Sequence, residues 1–499
     1  MNFSVNFKTV LFWAIAVLFS TNVWALNAPS ALSAVAASTS QINLFWQDNA
    51  TNETGYIIQR SLSSVSGFTE IARAAANSKS FSNTGLAAST YYYRVRSYRN
   101  RLSGSVVYSA YSNIASATVG SVVVDPPPAP LPTVGACSPV SPIALTGYDP
   151  LPALQTAKIP SGAYVGAYTV APNDARLIWY FSNIALLGFV DKIPNEIKTY
   201  MNLYMAHLNS DFSINDVFFN VSNGIINYSS TYLHTTAPGQ YADSHDSYAS
   251  TFLSLAARYY QVSCDTAWLN SVVPNTGLSV LNVLKKIADK NLVGAQWPNG
   301  LIHVFQNADA YYIAYTEDNA ENYRGLADFA SLLISLNDNS ASTYQESAGR
   351  VAAAMQNILF TNNLFSGAKA LNKPGFAFYW GNATSFSAAA EPLNSPMAFY
   401  PDGVTQIFAQ AYRMGLPQAS YDAGWSFLNT YFPSYTTSAY DTDPWMLIGL
   451  AAGLQGNIPL AQQMQFKTVN VYKAGTAVPI NNWGFYRRTD LLLQKGISY

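Results

Sequence analysis

The chain has 499 residues, 49% of them hydrophobic, which is enough apolar mass for two or three cores and too long a run for one ordinary domain. Only 11% of residues are charged and the formal net charge is -1, so no basic stripe offers itself to a phosphate backbone and nucleic acid is excluded as the expected partner. Aromatics reach 14%, with 34 tyrosines and 10 tryptophans; such side chains, with amides and hydroxyls, suit neutral, hydroxyl-rich ligands.

Residues 1–25 read as a signal peptide: Lys8 gives a positive start, TVLFWAIAVLFS an apolar core, and VWA a small residue for cleavage after Ala25. The apolar run falls short of the ~20 residues a membrane span needs, and no later segment is long and uncharged enough, so the mature protein is expected to have no membrane span. The expected location is secreted, periplasmic or at the cell surface, where disulfides persist. Only Cys137 and Cys264 are available, so at most one internal bridge forms, a staple rather than a catalytic thiol.

From 27 to 120 the apolar pattern has period two. QINLFW, GYIIQR, YYYRVRSY and SNIASATV are short alternating strands broken by Asn, Ser, Thr and Gly, with Tyr91, Tyr93 and Val95 sharing one face. The segment resembles a fibronectin type III domain: Pro29 and Leu32 open it, Trp46 follows INLF, Gly55 and Tyr56 start the third strand, and Tyr91 stands at the place of the family's tyrosine corner. LAAST precedes Tyr91 where the family usually has Pro-Gly. The resemblance implies an all-β sandwich used as a spacer or adhesion unit. Residues 121–142, with VVVDPPPAPLPTV, predict an extended, semi-rigid linker.

From 143 to 499 the period lengthens. Segments such as DARLIWYFSNIALLGF, NEIKTYMNLYMAHL, DSYASTFLSLAARYY, GLSVLNVLKKIADKN, AENYRGLADFASLLISL, STYQESAGRVAAAMQNIL, GVTQIFAQAYRMG, ASYDAGWSFLNTYF, PWMLIGLAAGLQG and PLAQQMQFKTVNVY place apolar residues three and four apart. Strands are expected to be nearly absent. Short turns alternate with long polar loops, and the long loops precede Asp243, Asp318, Asp402 and Asp441. If the long loops share one rim, their acids meet at a single mouth.

DSHDSYASTFLSLAARYY, VSCDTAWL, WPNGLI, EDNAENYRGLADFASLL and FYPDGVTQIF together resemble the six-hairpin glycosidases, over most of 146–499. The resemblance implies an all-α (α/α)6 toroid, and hence a multidomain chain with an N-terminal all-β fibronectin type III sandwich. Ser263-Cys264-Asp265 stands where that family often turns through Thr-Gly-Asp. The implied activity is hydrolysis of glycosidic bonds in a poly- or oligosaccharide, or a cell-surface glycan, with no cofactor and no metal.

Glycoside hydrolysis takes two carboxyls, one protonating the leaving oxygen and one activating water or attacking directly. The candidates are Asp243 with Asp246, and Asp318 with Glu321, each pair three residues apart at a helix start. Acids at those places also satisfy the first amides of a helix and its macrodipole. Labour is therefore expected to divide: Asp243 orders the turn and Asp246 points inward, while Glu321 is the acid and Asp318 a cap or substrate contact. Asp402 in YPDG, and Asp441 and Asp443 in DTDPW, rank second as turn and cap residues.

His245, Tyr248, Trp297, His303, Tyr323, Arg324, Trp380, Tyr400, Asp402 and Trp445 are the candidate substrate contacts, with Trp483 a further aromatic candidate. The four histidines lack metal-ligand spacing, and no nucleophile elbow, Walker loop or dinucleotide fingerprint is present. Two other readings stay open: a polysaccharide lyase using His234 or His303 with a tyrosine, and a non-catalytic carbohydrate-binding or adhesion protein.

Overall fold

A computed structural model describes residues 26–38, 41–87, 89–101, 104–119, 137–236, 240–306, 313–361, 365–366, 369–370, 375–381, 398–437 and 439–498. The signal-peptide segment 1–25 and the proline run within 120–136 lie outside the described residues. The chain divides into two units, Met1–Asp125 and Pro126–Tyr499.

In the first unit the period-two segments form antiparallel strands. They are β1 (Ser30–Ser38), β2 (Gln41–Gln47), β3 (Gly55–Ser61), β4 (Thr69–Ala75), β5 (Ser80–Asn83), β6 (Ser89–Asn100), β7 (Val106–Tyr108) and β8 (Ala115–Val119). One sheet runs β1-β2-β5 and the other β4-β3-β6-β7, with β8 also paired to β6. The inward faces meet in one core that includes Ile42, Leu44, Trp46, Tyr56, Ile58, Tyr93 and Val95. Alternation along β6 buries Tyr91, Tyr93 and Val95, because successive side chains of a strand point to opposite sides. The Tyr91 hydroxyl donates to the Ala87 carbonyl at 3.0 Å, so the corner closes on LAAST without a Pro-Gly.

The second unit is mainly helical: α1 (Leu151–Gln155), α2 (Trp179–Leu187), α3 (Pro194–Ala206), α4 (Asp246–Ser263), α5 (Thr266–Asn270), α6 (Val280–Ala288), α7 (Thr316–Ser335), α8 (Ala341–Ala354), α9 (Val404–Ala411), α10 (Gln418–Tyr431), α11 (Met446–Leu454), α12 (Ile458–Lys473) and α13 (Asn481–Lys495). Each predicted helical segment contains one of these. No helix among the described residues is long and apolar enough to cross a membrane.

Packing orders the helices. α2 lies on α4, α4 on α7, α7 on α9, α9 on α11, α11 on α13, and α13 returns to α2. The others sit outside this succession: α3 and α6 on α4, α8 on α7, α10 on α9, α12 on α11, and α1 on α13. Two glycines allow the closest approaches. A Cβ on Gly325 of α7 would stand 2.4 Å from the Ser250 carbonyl oxygen of α4, and one on Gly484 of α13 would stand 2.3 Å from that of Ile184 in α2.

α13 escaped the apolar-period reading because its sequence, NNWGFYRRTDLLLQK, is polar where it is buried. Arg487 is buried against Asp191, Nη2 to Oδ2 2.6 Å, and the same carboxylate oxygen accepts from the Ile143 amide at 2.9 Å. Pairing and hydrogen bonding make a buried charge tolerable.

Two expectations need correction. The linker does not extend to 142: Cys137 is bonded to Cys264, and the amides of Ser138 and Val140 donate to the carbonyls of Gln261 and Val262 at the end of α4. Cys264 takes a left-handed φ of 53°, the conformation for which glycine is usual. Nor are strands nearly absent. β9 (Arg176–Leu177), β10 (Val217–Ser222) and β11 (Ile225–Tyr232) form a sheet in the order β11-β10-β9. Asn223 and Gly224, both at positive φ, make the two-residue turn between β10 and β11, a hairpin signal present in the sequence.

Candidate active site

The succession of inner helices brings six helix starts to one recess of about 340 Å³. Tyr180 and Phe181 come from α2, Asp243, Ser244, Ser247 and Tyr248 from the start of α4, and Glu317 and Asp318 from α7. Tyr400 and Phe408 line it from the α9 side, Asp443 and Trp445 from before α11, and Asn481 from α13. Residues at the described ends of the long loops, Asp243, Tyr400 and Asp443, thus meet Asp318 at one recess, at the entries of the inner helices.

The roles within each acid pair are not distributed as the sequence suggested. Asp246 does not line the recess. It is fully buried, accepting from Ser244 Oγ (2.6 Å) and the Ser247 amide (2.9 Å) on Oδ1 and from Asn322 Nδ2 (2.7 Å) on Oδ2. Asp243 does line it, and Ser244 takes over the capping by accepting from the Ser247 amide at 3.1 Å. A serine one residue nearer the helix reaches that amide with a shorter side chain. The accessible surface of Asp243 opens on the recess, where neighbouring protein thins the water, and this desolvation raises its carboxyl above the usual range.

On α7 the helix begins earlier than the capping-box reading assumed. The strand Ile313–Tyr315, paired with Tyr379–Gly381, leads directly into Thr316, so Asp318 sits inside the first turn and faces the recess instead of capping. Burial, then the charges of Asp246, Glu321, Glu317 and Asp243, push the Asp318 carboxyl well above its ordinary range. Glu321 lies one turn deeper, 2% exposed, its Oε1 accepting from the hydroxyls of Tyr180 (2.6 Å) and Tyr412 (3.0 Å). Desolvation raises it to about 8.

Glu317 was missed by the sequence reading. It lines the recess, accepts from Thr405 Oγ1 (2.9 Å) and the Tyr400 hydroxyl (3.2 Å), and is raised by burial to about 7. Its signal was present: Glu317 and Glu321 are four apart and share a helix face. Asp216 was missed too. Buried and raised by desolvation to about 7, it accepts from the Tyr248 hydroxyl on both oxygens (2.9 and 3.0 Å) and from the Asp243 amide (3.2 Å), so it holds both in place.

Tyr400 and Trp445 form the aromatic side of the recess, stacked with centroids 4.9 Å apart and planes at 23°. Trp445 has a left-handed φ of 51°, costly for a bulky residue. Two acids hold it there: Asp443 Oδ1 accepts from its amide and Asp441 Oδ2 from its indole Nε1, both at 2.8 Å. α11 therefore begins at Met446 rather than at the proline after Asp443. Burial raises Asp443 to about 6.

Of the candidate contacts, Tyr248, Tyr400 and Trp445 line the recess. His245 and His303 lie behind its wall, His245 edge-on to Phe305 and His303 stacked with Trp297; desolvation lowers both imidazoles to about 4. Tyr323 and Arg324 are buried, with Arg324 Nε donating to Asp328 Oδ2 at 2.9 Å. Asp402 accepts from the Ala398 amide at 2.8 Å, as a turn residue does. Trp483 is fully buried beside Tyr148 and Tyr486. Trp380 pairs with Ala314 through its backbone, and its side chain lies outside the described residues. Among the described residues no group of three or more His, Cys, Asp or Glu side chains is disposed to hold a metal ion.

No family model and no curated protein sequence matches the chain. Among solved structures, a small N-terminal part is similar to an Fn3-like protein from Clostridium thermocellum, 30% identical over 20% of this chain and 97% of that one, with a TM-score of 0.17. It is also similar to a titin fragment, 16% identical over 19% of this chain and 33% of that one, TM-score 0.17. A beta-1,2-glucanase from Parabacteroides distasonis is similar over 83% of this chain and 45% of that one, at 12% identity and a TM-score of 0.27. The chain thus spans a third of the titin fragment and under half of the glucanase.

Proposed function

We propose that this is an exported carbohydrate-active enzyme: a fibronectin type III module followed by an (α/α)6 toroid that hydrolyses glycosidic bonds of a neutral saccharide. The observation that carries the reading is the placing of Asp318 and Asp243 on one recess, on the starts of adjacent helices, with the Asp318 carboxyl pushed well above its ordinary range by burial and by the acids around it. A carboxyl that holds its proton more tightly than usual is suited to donate it to a leaving oxygen, and a more open carboxylate can receive one.

In the reaction Asp318 gives its proton to the glycosidic oxygen as the bond from that oxygen to the anomeric carbon breaks. Asp243 takes a proton from the water that adds to the anomeric carbon, so the acid and base are reset by proton exchange with solvent. Tyr400 on Trp445 offers a flat face to a sugar ring. Asp216 positions Asp243 and Tyr248.

Lyase chemistry acts on uronates, and a recess lined by Asp243, Glu317, Asp318 and Asp443, with no Lys, Arg or His among the described lining residues, suits a neutral sugar better than one that carries a carboxylate. The test is to incubate the mature chain with β-1,2-, β-1,3- and β-1,4-glucans and a mannan. New reducing ends without ultraviolet absorbance are expected, and Asp318→Asn should abolish them. Product with a conjugated double bond, or undiminished turnover by Asp318→Asn, would overturn the reading. Recovery of an exported form starting at Leu26 checks the signal peptide.

A further inference from the structure

Outside the recess, the sheet β11-β10-β9 has one face in the core and one open. Phe219 on β10 is 1% exposed and packs inward, edge-on to Tyr228. The neighbouring Phe218 points the other way, and the register sets Arg176 of β9 and Tyr232 of β11 opposite it on either side. Cross-strand partners share a face, so the three form a row across the sheet.

The Phe218 ring lies 5.6 Å from that of Tyr232 and 5.1 Å from that of His234. Asn220, two residues along the same face, holds Ser230 Oγ at 2.8 Å. An open groove of about 650 Å³ is lined by Arg176, Phe218, Asn220 and Tyr232, among others. Tyr232 is 49% exposed, so its ring is available. Arg176 is bidentate to Asp174, Nε to Oδ1 at 2.9 Å and Nη2 to Oδ2 at 2.6 Å, and these are the only charged residues lining the groove among those described, so its formal charge cancels.

The groove continues the recess along the chain. Thr236, which lines the recess, follows Tyr232 by four residues, at most ~14 Å of extended backbone. We infer that the groove is a second carbohydrate-binding surface, holding the part of a neutral polysaccharide that extends out of the recess. The inference rests on the hydrolase reading above. Aromatic faces match sugar rings, and the Asn220 amide with the ion-paired guanidinium matches ring hydroxyls. Cancelled charge here, and a recess lined by carboxyls without a cation, suit a neutral polymer over an acidic one.

The test uses the full chain carrying Asp318→Asn, run through native gels containing β-1,2-glucan, a β-1,3-glucan, a β-1,4-glucan or a mannan. At least one polymer should retard it, and adding Tyr232→Ala should remove most of that retardation. In the active chain, Tyr232→Ala should raise KM for the same polymer about tenfold while leaving turnover of its trisaccharide unchanged, which also shows that the variant folds. Retardation by none of the four polymers, or equal losses on polymer and trisaccharide, would overturn the groove. Retardation that depends on Tyr232 without hydrolysis of any polymer would keep the groove and remove the hydrolase reading.

Discussion

Asn322 donates its side-chain amide to Asp246 Oδ2 at 2.7 Å, joining α7 to α4 across 76 positions of sequence just behind the recess. The contact makes Asp246 a structural acid and leaves Asp243 as the one that faces the recess. Asp246→Ala strands the Ser244 hydroxyl, the Ser247 amide and the Asn322 amide in a buried place, and should cost roughly 2–4 kcal/mol in urea unfolding. Asp243→Ala should leave stability within about 1 kcal/mol and lower kcat by ~100-fold or more. The opposite pattern would return the catalytic role to Asp246.

Stability should fall as pH rises through the neutral range. Glu317, Glu321 and Asp216 are raised by burial to about 7, 8 and 7, whereas in the unfolded chain such groups ionise near pH ~4. Below that pH both states are protonated and the buried acids cost nothing. Above it the unfolded chain ionises first, so folding loses ground until the folded groups ionise too. Unfolding free energy measured between about pH 5 and pH 8 should decline, and Glu321→Gln should flatten the decline by roughly 2–3 kcal/mol. A decline as steep in Glu321→Gln as in the parent would refute the assignment.

The basic limb of the activity profile should report Asp318. Glu317 is one of the charges holding that carboxyl up, so Glu317→Gln should move the limb of kcat/KM to lower pH. Asp318→Asn should remove activity altogether, as the group that delivers the proton is gone. An unmoved limb in Glu317→Gln would show that another group governs it.

Tyr400 carries two separable functions, a stacked ring and a hydroxyl on Glu317. Tyr400→Ala should raise KM roughly three- to tenfold through the lost sugar platform. Tyr400→Phe keeps the ring and should leave KM in place. It removes a hydrogen bond that lowers the Glu317 carboxyl, so Glu317 should titrate at higher pH. Equal KM changes in both variants would mean that the ring face does not meet substrate.

The bond between Cys137 and Cys264 closes a sequence separation of 127 residues, and Cys137→Ser should cost about 2–4 kcal/mol. Cys264→Gly loses the same bond but places glycine at the left-handed φ of 53°, so its cost should be smaller by about 1 kcal/mol. Thermal melts of the two variants, each compared with the disulfide-bonded parent, check both the cost and the difference.

Local physics was legible in the sequence. Alternation buried Tyr91, Tyr93 and Val95 in one strand face, and three-and-four spacing marked helices α2 to α4 and α6 to α12, because side-chain direction follows backbone period. The loops before Asp243 and Asp318 announced a shared rim for the same reason: loop length, long on one side and short on the other, is written in the chain. Not legible was which acid of each pair would face the recess. That depended on where a helix starts, to within a residue or two, and on partners remote in sequence: Asn322 for Asp246, Tyr180 and Tyr412 for Glu321, Asp216 for Asp243. α13 was hidden likewise, since Arg487 looks like a surface residue until Asp191 is packed against it. Composition and period mark most of the strands and helices; the ionisation and exposure of a carboxyl depend on every charge and dipole folded around it, and these are brought together only in three dimensions.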